Sequence, residues 1–140
     1  MKPVYTAEVT VTGGRDGRAI SSDKNLDVRL SMPKELGGSA APGTTNPEQL
    51  FAAAYAACFQ SALRAVAGQK GVKIGDSSIT ARVGVGPRDA GGFGINVAMQ
   101  VKLAGLSREQ AQQLIDIAHR DMCPYSHATR NNVDVDIKLA

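Results

Sequence analysis

Two cysteines, Cys58 and Cys123, are the residues of this 140-residue chain with the most chemistry to offer. Cys58 lies inside a long apolar helical run, NPEQLFAAAYAACFQSALRAVAG, and Cys123 opens the segment CPYSHATR just past a second helical pattern. A lone cysteine is usually a small buried hydrophobe, and by pattern alone Cys58 reads as an inert core residue. Two cysteines, each beside polar groups that could act on sulfur, suggest one that attacks and one that resolves. A rival chemistry comes from His119, Cys123 and His127, spaced four and four, which with Cys58 as a fourth ligand would make a structural metal site. Against it, Pro124 breaks the helix that would put all three on one face.

Composition sets the frame for these residues. The length fits one domain over residues 1–140, and 43% hydrophobic residues suffice for a core. With six aromatics and no tryptophan, Ala, Val, Ile and Leu must fill that core. The net charge of +3 is spread along the chain without a Lys/Arg cluster. A basic stripe interleaved with aromatics is missing, so a nucleic-acid partner is not expected. The N-terminus, MKPVYTAEVTVTGG, has no apolar block of signal-peptide type. The longest apolar run, between Glu48 and Arg64, reads as too short and too polar for a bilayer span. A cytoplasmic location without membrane association is the expectation, and there paired cysteines point to redox or metal work before a structural disulfide.

The elements that must position the cysteines follow from periodicity. Tyr5, Ala7, Val9 and Val11 alternate with polar residues as in a half-buried strand. GGRDG (13–17) reads as a turn, and Leu26, Val28 and Leu30 as the inward face of a second strand, which makes a hairpin with Arg15 at its tip. Residues 33–47 form a Gly/Pro-rich loop, long enough to suggest function. A helix follows, with Asn46 as cap, Pro47 at its first position, Gln49 completing a capping box and Gly68 as stop. It carries only Glu48 and Arg64 as charges and contains eight alanines. A helix so apolar all round must be buried on most sides, and a second subunit is the natural cover for what one small sheet leaves open. A second hairpin then places Ile79, Ala81, Val83 and Val85 against Ile95, Val97, Met99, Val101 and Leu103 across the turn PRDAGGFG. Ser107 and Gln110 form a capping box for a helix to about Asp121, Pro124 pushes Cys123 toward extended backbone, and VDVDIKLA closes the chain as an alternating strand. The fold class is α+β, antiparallel hairpins packed on a long central helix and a second helix.

TGGRDG (12–17), GTTNPEQLFAAAYAACF (43–59), GGFG (91–94) and HRDMCPYSHATRNN (119–132) together resemble the organic hydroperoxide resistance branch of the OsmC-like proteins. The match runs nearly the whole chain, and PYS after the second cysteine favours this branch over OsmC proper. The chain departs from the family at His127, where Asn is usual, and at Asn131, where Gly is usual. The resemblance implies an OsmC-like fold in an intertwined homodimer. It implies a thiol-dependent peroxidase acting on organic and fatty-acid hydroperoxides, with no bound cofactor. It maps the peroxidatic cysteine to Cys58, the resolving cysteine to Cys123, the catalytic arginine to Arg15 and the catalytic glutamate to Glu48. It names dihydrolipoyl groups on a lipoylated protein as the external reductant. An OsmC-type peroxidase with a broader peroxide range is the alternative within the family.

The chemistry constrains these assignments. Peroxide attack requires thiolate, yet a free cysteine titrates at about 8.5 and burial raises that further. Cys58 lies too far along its helix to feel the N-terminal dipole. A cation is needed, and Arg15 fits, since its guanidinium stays charged and can fork between two partners. Arg18 is a weaker rival. Glu48 would hold the fork in place, although without Arg15 nearby each is simply a turn charge and a first-turn acid. Phe51, Phe59, Phe93 and Met122 are candidate apolar walls for bulky peroxides. Glu48 and Cys58 are ten residues apart, about 15 Å along an unbroken helix and roughly 80° off the same face. Either the helix breaks between them, or the Glu48 that meets Arg15 near Cys58 belongs to the other subunit.

Overall fold

The computed structural model describes residues 1–140, which divide into two compact units, Met1–Leu50 and Phe51–Ala140. The first is a three-stranded antiparallel meander of β1 (Val9–Thr12), β2 (Arg18–Ser21) and β3 (Asp27–Arg29). Thr12 pairs with Arg18 and Ala19 with Val28. The expected hairpin partner at 26–30 is therefore the third strand, and the short run RAIS supplies a second strand that alternation did not reveal. The first strand is also shorter than expected. It starts at Val9, all four of its residues are exposed, and Tyr5 before it is 78% exposed. Its alternating apolar face is real, but nothing within the chain covers it.

Between β1 and β2 the GGRDG segment winds into a 3₁₀ turn over Gly14–Asp16. Gly13 and Gly14 sit at φ +74° and +58°, the left-handed region that L side chains avoid. A Cβ at Gly17 would lie 1.6 Å from the Thr12 carbonyl oxygen, so this position too demands glycine. Asp16 anchors the turn by accepting the Met32 N–H at 2.9 Å. The loop of residues 33–47 carries one further 3₁₀ turn, Lys34–Leu36, and returns beside β3 through a parallel bridge between Leu30 and Thr45.

The central helix α1 runs unbroken over Pro47–Gln69. Asn46 caps it as expected, accepting the Gln49 N–H at 2.8 Å. The reciprocal half of the expected capping box is not made, because the Gln49 side-chain oxygen accepts from the Thr45 hydroxyl instead. Gly68 does not stop the helix. The chain continues to Gly71 at φ +66°, where the Val72 N–H bonds the Ala67 carbonyl and the Gly71 N–H bonds that of Gly68. That is a Schellman closure, which asks for glycine at its left-handed residue.

α1 buries Tyr55, Phe59, Ala62, Leu63, Val66 and Ala67, one face at helical spacing. Burial on most sides, expected from its composition, does not occur within one chain: Ala53, Ala57 and Ala65 stay exposed. By length and apolar composition this 23-residue helix is also long and apolar enough to cross a membrane, contrary to the expectation from its sequence. Its packed face makes it the core helix of its unit.

The second unit wraps a sheet around that face. β4 (Ser77–Pro87) and β5 (Phe93–Leu103) form the expected hairpin, in register from Ser77 with Leu103 to Pro87 with Phe93. β6 (Asp134–Leu139) pairs with β5 in parallel, Val97 with Val135 and Met99 with Ile137. An all-antiparallel sheet was the expectation. The intervening helices provide the crossover that parallel pairing needs, and alternation carries no strand direction. Val97, Met99 and Val101 join the α1 face in the core, with Leu114, Ile115 and Ala118 from the second helix.

That helix, α2 (Arg108–Ile117), has the complete Ser107/Gln110 capping box. It widens into a π turn over Ala118–Met122 and ends at Cys123, whose φ of −79° and ψ of 116° are the extended values Pro124 imposes. Residues 124–129 are not a loop. Pro124 opens a short helix, α3 (Pro124–Thr129), at the one helical position where its missing N–H costs nothing. Asn131 just beyond it lies at φ +63°, in the left-handed region that Asn tolerates better than most other side chains.

Candidate active site

The expected site residues come together as two pairs. In the first unit the Arg15 guanidinium forks onto the Glu48 carboxylate, Nη1 to Oε2 at 2.8 Å and Nη2 to Oε1 at 2.7 Å. The glycine-bound 3₁₀ turn presents Arg15 from one side, and the capped first turn of α1 presents Glu48 from the other. The hydrogen bonds from Arg15 hold the Glu48 carboxyl below the usual range, against the opposing effect of burial. Arg18 is no competitor. It lies on β2 and spends its own fork on Asp27 across the sheet, at 2.7 Å for both bonds.

In the second unit the sulfurs of Cys58 and Cys123 are 3.9 Å apart, both as free thiols. A disulfide needs about 2.05 Å, so the two sulfurs are near neighbours that must still approach to close it. The accessibilities invert what helix and loop positions suggested, since Cys123 is 2% exposed and Cys58 half-buried. The cysteine on the central helix is thus the more accessible of the two. Burial pushes the Cys58 thiol up, and the neighbouring Cys123 adds to that. The backbone N–H of Tyr125 works the other way by offering the sulfur a hydrogen bond. Sequence reasoning missed this donor, because it belongs to a helix that opens at Pro124, which the sequence shows only as a break in the helix before it.

The four candidate wall residues have different fates. Phe51 is half-buried and packs edge-on against Tyr55 and Tyr125, both at 6.0 Å between ring centroids. Phe59 has no exposed surface and belongs to the core. Phe93 opens β5 at 67% exposure, and Met122 ends the π turn at 36%. Tyr125, which sequence reasoning did not single out, stacks on Tyr55 at 5.6 Å. The His119, Cys123 and His127 set does not converge on a metal position. His127 points to solvent from α3, and the His119 Nδ1 is 2.9 Å from the Ser126 hydroxyl.

Comparison with known proteins identifies the family. The family model for OsmC-like proteins matches residues 37–138. An organic hydroperoxide resistance protein of Xanthomonas axonopodis pv. citri is 54% identical over 140 residues, covering 99% of this chain and 96% of that one. The crystal structure of the organic hydroperoxide resistance protein OhrB of Bacillus subtilis superposes with a TM-score of 0.88 at 46% identity, over 99% of this chain and all of that one. An organic hydroperoxide resistance protein from Elizabethkingia anophelis, solved with thiocyanate bound, gives a TM-score of 0.93 at 44% identity, over 100% of this chain and 99% of that one. The chain belongs to the OsmC-like family. Within it, the resemblance is to the organic hydroperoxide resistance branch, at every level from the motifs to the whole fold.

Proposed function

We propose that this protein is a thiol-dependent peroxidase that reduces organic hydroperoxides to alcohols. The observation that carries the reading is the 3.9 Å approach of a half-buried cysteine to a buried one, in a chain whose full-length relatives are named for organic hydroperoxide resistance. The Cys58 thiolate attacks the distal peroxide oxygen, the O–O bond breaks, and the alkoxide takes a proton and leaves as the alcohol. Cys58 is then a sulfenic acid. The Cys123 thiol condenses with it, water departs, and a Cys58–Cys123 disulfide remains. A dithiol must return two electrons, and a dihydrolipoyl group on a slender arm suits a disulfide with one buried sulfur.

Cys58 needs a cation, because burial and Cys123 together hold its thiol in the protonated form. The Arg15–Glu48 fork is the unit suited to supply it, with Glu48 fixing the guanidinium that stabilises the thiolate and donates to the departing alkoxide. α1 is continuous from Glu48 through Cys58. This continuity speaks against a broken helix and supports a composite site in a homodimer, in which the Arg15–Glu48 pair of one subunit would serve Cys58 of the other.

Counting free thiols in reduced protein after addition of cumene hydroperoxide or hydrogen peroxide tests the reading. Both thiols should disappear together, faster with the organic peroxide. Thiols that survive excess cumene hydroperoxide refute it. Turnover should be sustained by dihydrolipoamide, and support from thioredoxin alone would displace the lipoyl proposal.

A further inference from the structure

A buried polar chain lies beneath α3. The Tyr55 hydroxyl is 3.0 Å from the Ser126 hydroxyl and 3.2 Å from that of Thr129. Ser126 Oγ is 2.9 Å from His119 Nδ1, and Thr129 Oγ1 is 2.9 Å from the Tyr125 carbonyl oxygen. Tyr55 and Ser126 have no exposed surface and Thr129 has 5%. A buried hydroxyl left without a partner is costly, so all four contacts should be hydrogen bonds.

Four contacts need four hydrogens, and three hydroxyls supply three. The carbonyl can only accept, so the Thr129 hydrogen is spent on the backbone. Tyr55 must then donate to Thr129, and Ser126 to Tyr55. The fourth hydrogen must sit on His119 Nδ1 and point at Ser126. Any other arrangement leaves two lone pairs facing each other inside the core. The chain therefore has one direction: His119 Nδ1–H to Ser126, Ser126 to Tyr55, Tyr55 to Thr129, and Thr129 to the Tyr125 carbonyl.

We propose that Tyr55, Ser126, Thr129 and His119 are positioning residues, a directional hydrogen-bond chain that fixes the start of α3, and with it Cys123 and the Tyr125 N–H, against Cys58. The proposal rests on the reading of Cys58 and Cys123 as the reacting pair. The chain ties α1, through Tyr55, to both ends of the segment that carries Cys123: His119 lies four residues before it, and Ser126 and Thr129 follow it. Cys123 must meet the Cys58 sulfenic acid in line with the S–O bond that breaks, and misplacement by about 1 Å can cost on the order of 100-fold. The charged groups acting on His119 are Arg130 and Asp116, and neither takes part in the chain.

Two measurements test it, one of them independent of peroxide chemistry. Nitrogen-15 NMR of the wild-type protein above pH 7 should show His119 as the Nδ1–H tautomer, and an Nε2–H tautomer overturns the chain. The second measurement follows sulfenic acid formation and its closure to disulfide after a single addition of cumene hydroperoxide. Tyr55→Phe, which removes one hydroxyl and no volume of ring, should slow closure by roughly 10-fold and shift the thiol alkylation profile of Cys58 to higher pH. His119→Ala should do the same. His119→Asn, whose amide N–H can take the place of Nδ1–H, should restore closure. Unchanged closure and alkylation in folded Tyr55→Phe and His119→Ala proteins overturns the proposal. If Tyr55→Phe does not fold, the His119 pair decides. Wild-type protein that forms no sulfenic acid at all refutes the peroxidase reading instead, and the tautomer and alkylation profiles then still decide the chain.

Discussion

In the proposed reaction the two cysteines would divide the work by access and environment: Cys58 is half-buried and would have to ionise, while Cys123 beside it has almost no surface. Cys58→Ser should abolish peroxidase turnover, whereas Cys123→Ser should consume about one equivalent of peroxide and stall as a sulfenic acid or over-oxidise. Single-turnover peroxide consumption in the two variants separates the roles, and activity surviving in Cys58→Ser would reverse them. Arg15→Ala should move the Cys58 alkylation profile to higher pH and slow peroxide attack at neutral pH. Arg18→Ala should do little, since Arg18 is engaged with Asp27. Two further groups contribute to the pH dependence of stability, both in the same direction. The folded state depresses Glu48 through its hydrogen bonds from Arg15, and depresses His119 chiefly by burial, with Arg130 adding to it and Asp116 opposing. A group whose folded pKa is depressed binds fewer protons folded than unfolded, so stability rises with pH across its titration. His119 contributes its share fully above about 6.5 and loses it as pH falls below that; Glu48 loses its share further down. Urea denaturation between pH 8 and pH 4 should show falling stability, with a flatter upper limb in His119→Asn.

Among the elements, local chemistry made some features legible and hid others. The Asn46 cap, the Ser107/Gln110 box and the alternation of β4 and β5 are short-range signals, and they hold. Asn46→Ala should cost about 1 kcal/mol in denaturant unfolding. The Asn131 position argues the same way: Asn131→Gly should be neutral or stabilising, and Asn131→Val destabilising by about 1–2 kcal/mol, because a β-branched residue resists the left-handed region. β2 was hidden because RAIS is four residues long with no alternating run to announce it. α3 was hidden because Pro124 serves both to end one helix and to begin another, and only the backbone shows the second use. The parallel pairing of β6 is set by the crossover, which no pattern within the strand records. At the site, the bare residues gave two cysteines with a suspicion of chemistry, and Arg15 and Glu48 gained their roles only from the motifs they share with a family. The Tyr55–Ser126 contact spans 71 positions and left no signal that periodicity could catch.

At the scale of the whole molecule, apolar surface and the proposed chemistry make the same demand. Val9 and Val11 on β1 and the alanine face of α1 are uncovered within one chain. The unbroken α1 keeps Glu48 and Cys58 about 15 Å apart along the axis. A homodimer with composite sites meets both demands. Mixing inactive Glu48→Ala and Cys58→Ser proteins should return part of the activity after subunit exchange, because one site of each mixed dimer joins an intact Cys58 to an intact Glu48. No recovery in verified heterodimers would place the whole site in one chain. The most direct test of the central claim is peptide mapping under non-reducing conditions after about one equivalent of cumene hydroperoxide. The account predicts one alcohol released per disulfide formed, with the new bond joining Cys58 to Cys123 of the same chain. Peroxide consumed while both thiols remain free, or a disulfide found only between chains, would contradict it.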